Sequence, residues 1–511
     1  MKKVLFILSS LLIFVNLHGQ IIIPSPENIH LIDEKFEIKD ELVHIYMQNK
    51  EQIPLSLLCS KILPGHTIQN VPCPEEANIR FRTIPNIPAE GYHLKITSEY
   101  IDIEASDKGG FVYAIQTLRQ IKEDGKKKIW KCTTISDRPR TQWRGFMLDS
   151  GRQYQSVATI KKYIDMASML KMNVFHWHLT EGLGWRIEIK KYPELTRKGA
   201  FVGQGEEQQG FYSQDDIREL VQFAKERNIT IVPEIDMPGH AEAALASYHE
   251  LGCFGLPVQI PKTGFTKNIF CAGKDYTIQV LKDILDEVCS LFPSKNIHLG
   301  GDEAPKGNWD ICPDCQKRIT EYELKDSHDL QLWFSAEMAN HLKRKGRNAI
   351  FWGDVIYKTG YPLPENVVIQ WWNYRGNKDL ALRNAVGANY PVICSSNYYN
   401  YLNFPVTPWR GYKENRTFDL KDAYTQNPSY QVIQEGNPLV WGMTCALWTD
   451  DELTESMLDK RLFPRILALA EQMWHCGELL PFEDFYQQVE MKKTWFEKQG
   501  YTYGQAFKHS F

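Results

Sequence analysis

From Trp143 onward the chain alternates two kinds of pattern. Short apolar runs read as buried strands, and between them apolar residues recur at the spacing of an amphipathic helix. The runs predict strands over Gly145–Leu148, Asn173–His178, Thr230–Ile235, Asn296–Gly300, Ala349–Trp352, Val367–Trp371, Pro391–Ser395 and Leu439–Leu447. The periodic stretches predict helices over Ser156–Leu170, Ser213–Arg227, Thr277–Leu291, Asp329–Lys345, Leu380–Val386 and Ser456–Trp474. Eight strand–helix repeats over roughly 330 residues is the pattern of a (β/α)8 TIM barrel. Ahead of it, Tyr92-His-Leu-Lys-Ile96 and Ile101-Asp-Ile103 alternate at period two. Val112, Ile115, Leu118 and Ile121 share one face of a helix from Gly110 to Ile121. The prediction is an α/β chain: a small α+β domain over residues 21–138, a barrel over 139–478, and a tail over 479–511 with a short helix packed on the barrel.

The first 20 residues break the pattern. Lys2 and Lys3 precede an apolar run, Val4 to Val15, of secretory-signal length and too short to span a bilayer as a mature helix. No second segment is long and apolar enough for a membrane span, so export to the periplasm or the exterior is expected, without membrane insertion. The formal charge of -4 gives no electrostatic footprint for nucleic acid and no polybasic membrane patch. Among 11 cysteines, Cys312-Pro-Asp-Cys315 is a CxxC with no second pair at zinc-ribbon spacing. A disulfide or free thiols is expected there in preference to zinc, and Cys253 and Cys271 are placed to bridge the loop they bracket. No metal and no cofactor is expected.

Active sites of such barrels lie at the C-terminal strand ends. Those ends offer Arg144 and Asp149; His176, His178 and Glu181; Glu234, Asp236 and His240; Asp302 and Glu303; Trp352 and Asp354; Trp371 and Trp372; Tyr401 and Asn403; Trp448 and Asp450. The fourth strand is the most telling. Ile297 to Leu299 runs into Gly300-Gly301 and then into two adjacent acids, costly to bury unless paired or working. Neighbouring residues of an extended chain point to opposite sides, so Asp302 and Glu303 are suited to touch different parts of one ligand. The plainer alternative is an acidic turn at a helix start. His176 and His178 share a strand face, and with Asp236 and His240 they are also the ligand types of a metal-dependent hydrolase. Bracing hydrogen bonds in a crowded barrel mouth are the structural alternative for them. Trp352, Trp372 and Trp448 fall at strand ends and stand out from Trp143, Trp177 and Trp441, which are assigned to packing.

These motifs resemble family 20 glycoside hydrolases, the β-N-acetylhexosaminidases. His298-Leu-Gly-Gly-Asp-Glu303 is similar to their H-x-G-G-D-E signature. Trp143–Asp149, Asn173–Thr180 with Gly184-Trp-Arg186, Glu234–His240 and Cys445–Asp450 resemble four further barrel motifs, in the same order. The resemblance implies an exo-acting, retaining hydrolase of N-acetylated glycans in which the substrate's acetamide is the nucleophile. It implies Glu303 as general acid and then base, Asp302 on the acetamide N–H, and His240 on Glu303 with Glu181 behind it. It implies sugar contacts from Arg144, His178, Trp352, Trp372, Tyr401, Asn403, Trp448 and Asp450. The chain departs from the family where Glu181-Gly182 replaces Asp-Asp, Asn403 replaces Asp, Asp450 replaces Glu, and Gln153 replaces a common His. A lacto-N-biosidase-like or O6-modified-GlcNAc specificity shares these motifs. A non-catalytic sugar-binding protein would require loss of Asp302 or Glu303, and both are present.

Overall fold

The computed structural model describes residues 20–507 apart from 124, 126–127, 204, 207–208, 261–265, 373–378, 407–417, 426–435 and 451–452. The signal stretch assigned to residues 1–20 thus lies outside the described residues, save Gln20.

Strands β1 (Asn28–Ile38), β2 (Leu42–Met47), β3 (Thr67–Asn70), β4 (Ile79–Thr83), β5 (Tyr92–Ile96), β6 (Ile101–Ala105) and β7 (Lys128–Asp137) form one sheet, in the order β1-β7-β5-β6-β4-β2-β3. Along β5, Tyr92, Leu94 and Ile96 are buried and the residues between are exposed, the period-two signature of a strand with one wet face. Helix Lys108–Ile121 starts where the Asp107 carboxylate accepts from the Gly110 N–H, an N-cap. Every residue from Gly109 to Ile121 is buried, because the helix is covered on two sides. One side packs on the sheet. The other meets the barrel helix Val157–Met169, where Gln116 Nε2 donates to Ser168 Oγ at 3.0 Å and Arg119 Nη1 to Asp165 Oδ2 at 3.1 Å. A Cβ at Gly110 would lie 2.1 Å from the Gly91 carbonyl oxygen, so only glycine lets the helix settle at this depth.

Strands β8 (Trp143–Asp149), β9 (Val174–His178), β12 (Thr230–Glu234), β13 (Asn296–His298), β14 (Asn348–Trp352), β15 (Val367–Trp371), β16 (Val392–Cys394) and β17 (Val440–Leu447) close a parallel barrel. Two short strands, β10 (Thr180–Glu181) and β11 (Gly184–Trp185), make a ribbon beyond β9. All eight expected barrel strands are present. Parallel strands covered on both faces carry near-continuous apolar residues, which makes them readable as runs. The expected helix Ser456–Trp474 is divided: Leu458–Leu462 ends before Phe463-Pro464, and Arg465–Trp474 follows. Proline has no N–H to continue the ladder and disfavours helical backbone in the residue before it. The tail helix, Phe482–Lys498, is longer than expected and buries Phe485, Val489 and Phe496.

The two domains are joined by charges that are buried, Glu90 alone among them keeping partial exposure. Arg144, fully buried, donates from Nη2 to Glu90 Oε2 at 2.6 Å and to the Tyr113 hydroxyl at 3.2 Å, and from Nε to the Lys171 carbonyl at 2.8 Å. Lys171 reaches back, its Nζ 2.6 Å from Asp137 Oδ2 and 3.1 Å from the Tyr92 hydroxyl, with both charged side chains of the pair fully buried. Trp474 Nε1 donates to the same Asp137 carboxylate at 3.0 Å. Removing one partner of a buried pair strands the other's charge. Asp137→Ala should therefore cost about 3–5 kcal/mol of stability in urea unfolding followed by tryptophan fluorescence. The double variant Asp137→Leu with Lys171→Met should be less destabilised than the single one. Equal or greater destabilisation of the double variant would overturn this account of the interface.

Candidate active site

The barrel mouth is set by the turn after β13. Gly300 and Gly301 take φ of 65° and 94°. A Cβ at Gly300 would fall 1.8 Å from Asp236 Oδ1, and one at Gly301 would fall 2.5 Å from Val355. Asp236 Oδ1 accepts from the Gly301 N–H at 3.1 Å, and Gln331 Nε2 donates to the Gly301 carbonyl at 2.7 Å. The chain is thus turned so that Asp302 and Glu303 both emerge at the mouth, Asp302 buried and Glu303 half exposed, with φ of 44°.

Below the mouth lies a shell of buried charge. Glu234, at the end of β12, has His176 Nε2 at 2.8 Å, His178 Nδ1 at 2.6 Å and His298 Nδ1 at 3.1 Å, and accepts from Trp352 Nε1 at 2.7 Å. Burial alone would raise its carboxyl, but the three imidazoles hold it ionised well below the usual range. Burial lowers His176 to about 4. Glu181, on the ribbon, sits between Arg152 Nη2 at 2.8 Å and His240 Nδ1 at 2.8 Å. Against burial, Arg152 and His240 bring Glu181 down to about 2. Against burial, Glu181 and Asp302 raise His240 well above its ordinary value. The other ring nitrogen of His240 lies 3.6 Å from Asp302 Oδ2 and 3.9 Å from Glu303 Oε2. Cation and anion therefore alternate from Arg152 through Glu181 to His240, which ends beside the two acids.

Asp302 is less well supplied. Burial, reinforced by Asp236, raises its carboxyl well above the carboxylate range, with His240 opposing. It lines a cavity of about 260 Å³ together with Arg152, Glu303, Trp372, Tyr401, Asn403, Trp448 and Asp450. That is small for a ligand site, where roughly 300–1,000 Å³ is usual. Trp372 and Tyr401 stack with ring planes 13° apart, and Trp448 lies 6.0 Å from Tyr401. Trp372 Nε1 donates to Asp354 Oδ2 at 2.5 Å, and burial raises Asp354 to about 6. Burial, helped by the charge of Asp302, pushes the Tyr401 hydroxyl well above its ordinary value, so it stays protonated and can donate. Asn403 Nδ2 donates to Asp450 Oδ1 at 3.0 Å. Asp302 Oδ1, Asn403 Oδ1 and Trp448 Nε1 are buried and have no hydrogen-bond partner among the described residues. Orphaned polar atoms around an aromatic-walled cavity call for a ligand that carries its own donors and acceptors. Glu303 also borders a second cavity, lined by Lys306, His328, Asp354 and Tyr357.

Three expected ligand contacts are corrected. Arg144 is the second residue of β8, at the bottom of the barrel, and serves the domain interface. The cation in the mouth is Arg152, three residues past the strand's end, held by Asp149 Oδ2 at 2.8 Å. Its position in the sequence, just after Asp149, is the signal that could have found it. His178 does not line the cavity; it is bound to Glu234 and meets the edge of Trp448, with ring centres 4.9 Å apart. Trp352 is likewise one layer down, 5.8 Å from the Trp448 ring. His176 and His178, the basis of the metal-hydrolase reading, both face Glu234, away from the cavity.

Comparison with known proteins agrees with the motifs. The profile of "Glycosyl hydrolase family 20, catalytic domain" matches residues 142–476, and that of "Glycosyl hydrolase family 20, domain 2" matches residues 20–138. A beta-hexosaminidase of Porphyromonas gingivalis is 33% identical over 509 residues, 94% of this chain and 64% of its own length. The chain thus spans just under two thirds of that relative. The crystal structure of a beta-N-acetylhexosaminidase from Bacteroides fragilis superposes with a TM-score of 0.92 at 59% identity, covering 96% of this chain and 98% of that one. A mutant Streptomyces plicatus beta-hexosaminidase in complex with its product GlcNAc superposes with a TM-score of 0.82 at 25% identity, covering 96% and 97%.

The depressed Glu181 carboxyl ties stability to pH. A group lowered on folding contributes stability that is fully present above its unfolded value, near 4.5, and lost as pH falls through the folded value, about 2. Glu181→Gln should therefore be less stable than the parent at neutral pH, with the gap closing between pH 4.5 and 2. Thermal unfolding midpoints across that range test it, and a gap independent of pH would count against the arrangement.

Proposed function

The chain belongs to glycosyl hydrolase family 20, and from that premise we propose that it is an exo-acting, retaining β-N-acetylhexosaminidase. The observation that carries this reading is the pairing of a buried Asp302 with a half-exposed Glu303 on one turn, beside a small aromatic-walled cavity. A cavity of that size suits one sugar ring at a chain end better than an interior stretch of polymer. Three tasks need doing there: seat an acetamide, stabilise charge on it, and move a proton to the leaving oxygen.

Tyr401, kept protonated, donates to the acetamide oxygen and aims it at the anomeric carbon. Trp372 and Trp448 enclose the methyl group and the sugar face. That oxygen attacks C1, the glycosidic bond breaks, and Glu303 gives its proton to the departing oxygen. The product of this step is an oxazolinium ring bearing positive charge. Asp302 accepts from the acetamide N–H. A carboxylate shut away from water is poorly stabilised until that charge develops, so its contribution grows toward the transition state. Water then attacks C1 from the vacated side, the bond from C1 to the acetamide oxygen breaks and restores the acetamide, Glu303 takes the water's proton, and the sugar leaves with its configuration retained. His240, held by Glu181, supplies fixed positive charge close to both acids. Arg152 and the Asn403–Asp450 pair take ring hydroxyls. The shorter Asp450, where the family has Glu, loosens the hydroxyl contact near O4 and O6, so O6-substituted GlcNAc is the comparison substrate. The basic start and apolar run of residues 1–20 support export to the periplasm or exterior, where N-acetylated glycans are met.

Glu303→Gln should lower kcat/KM on an unactivated disaccharide by roughly two to four decades, the weight of a positioned proton donor. A loss under threefold would remove Glu303 from the reaction. The parent enzyme should release the β-anomer first, read by proton NMR during turnover. Initial α-anomer would rule out the acetamide route.

A further inference from the structure

Away from the mouth, four cysteines from three separate places in the chain meet at one point. Cys253 follows a short turn, His249–Leu251, on the connection after β12; Cys271 lies further along it; Cys312 and Cys315 open the helix Pro313–Glu321 on the connection after β13. Cys271 Sγ is 3.6 Å from Cys315 and 3.9 Å from Cys312, and Cys253 Sγ is 3.9 Å from Cys315. All four sulfurs lie within 4.8 Å of one another, and Cys271, Cys312 and Cys315 are buried. The expected Cys253–Cys271 bridge is not what forms. Cys271 and Cys315 each face two partners, so the sulfurs converge on a centre and do not sort into pairs.

We infer that Cys253, Cys271, Cys312 and Cys315 form a tetrathiolate zinc site that ties the β12 connection to the β13 connection. Four sulfurs about 2.3 Å from a tetrahedral zinc stand about 3.8 Å apart, close to the three contacts of 3.6, 3.9 and 3.9 Å. A disulfide needs about 2.0 Å. The surrounding backbone is built to hold this spacing. A Cβ at Gly273 would lie 2.2 Å from the Asp314 carbonyl carbon and 2.3 Å from the Cys315 nitrogen, so the two connections touch main chain to main chain. Lys274 Nζ donates to the carbonyls of Glu250 at 3.0 Å and Gly252 at 2.6 Å. Arg318 Nη2 donates to the Gly273 carbonyl at 2.9 Å. Trp309 Nε1 donates to the Phe270 carbonyl at 3.0 Å. Zinc with four thiolates carries net negative charge, and Lys274 and Arg318 place cations on the same two connections. With four protein ligands the ion has no open position, which is the form of a structural site. The β12 connection also carries His240, and the β13 connection carries Asp302 and Glu303. Gly239 and Asp302 already pack closely, a Cβ at Gly239 falling 3.3 Å from the Asp302 carbonyl oxygen. The zinc would fix the two loops whose relative position sets the distance from His240 to the acids. The inference does not depend on the hexosaminidase reading.

The test uses the full chain, freed of any histidine tag and produced with zinc in the medium. Elemental analysis should find about one zinc per chain. Thiol-blocking mass spectrometry after denaturation should find these four cysteines unoxidised. Titration with a mercurial should release the zinc and lower the thermal midpoint. Chain produced with cobalt in place of zinc should show the visible absorption of tetrahedral cobalt thiolate. Cys312→Ser with Cys315→Ser should bind less than a tenth as much zinc. Zinc far below one per chain with the cysteines in disulfides would overturn the inference. So would zinc unchanged in the double variant, iron in place of zinc, or an octahedral cobalt spectrum. Should the double variant fail to fold, the cobalt spectrum of the parent chain decides.

Discussion

Charge that has been taken out of water must be answered by other charge, and the mouth of this barrel is arranged by how fully each acid is answered. Glu234 has three imidazoles and an indole N–H around it, and Glu181 has a guanidinium and an imidazole. Both stay ionised and both are scaffold. Asp302 has His240 at a distance and Asp236 pressing from the same side. Its carboxyl is left unbalanced, and it lines the cavity beside Glu303 and Asp450. A substrate that develops positive charge beside it completes a balance the protein leaves open. The division of labour among carboxylates follows from their partners, with no difference in side-chain chemistry required.

Getting that arrangement right is a backbone problem before it is a side-chain problem. Gly300 and Gly301 occupy positions where a Cβ would collide with Asp236 and Val355. Their left-handed φ values turn two consecutive acids toward one opening, which an extended chain would send to opposite sides. Asp236 both forces the glycine and accepts the Gly301 N–H. The residue that shapes the turn is thus also one that disturbs the Asp302 carboxyl, so geometry and electrostatics at this turn cannot be altered separately.

Much of this was readable in the residues, and the failures have physical reasons. Barrel strands covered on both faces appear as apolar runs, and Pro464 marks the break in the expected Ser456–Trp474 helix for anyone who weights its missing N–H. The acids and Trp372, Tyr401, Asn403, Trp448 and Asp450 could be placed because they follow strand ends. Arg144 misled because it adjoins the same motif as Arg152, yet it starts the strand, while Arg152 follows its end. His178 and Trp352 stand at the right height but point into the shell around Glu234, and strand position alone does not separate a residue facing the opening from one a layer beneath. The cysteine cluster was illegible for another reason. Its members come from three places on two successive connections, with Cys253 and Cys271 themselves 18 residues apart, so a spacing rule sees one CxxC and no partner.

The seam between the domains has a consequence for how such a chain can change over generations. Arg144 and Lys171 belong to the barrel, and the acids that neutralise them, Glu90 and Asp137, belong to the small domain or its last strand. A barrel joined to a foreign partner would bury two cations without the acids that neutralise them. Exchange of modules at residue 138 is therefore a poor route to new architectures here. The two pieces are bound to be inherited together, with change confined to the loops at the opposite end.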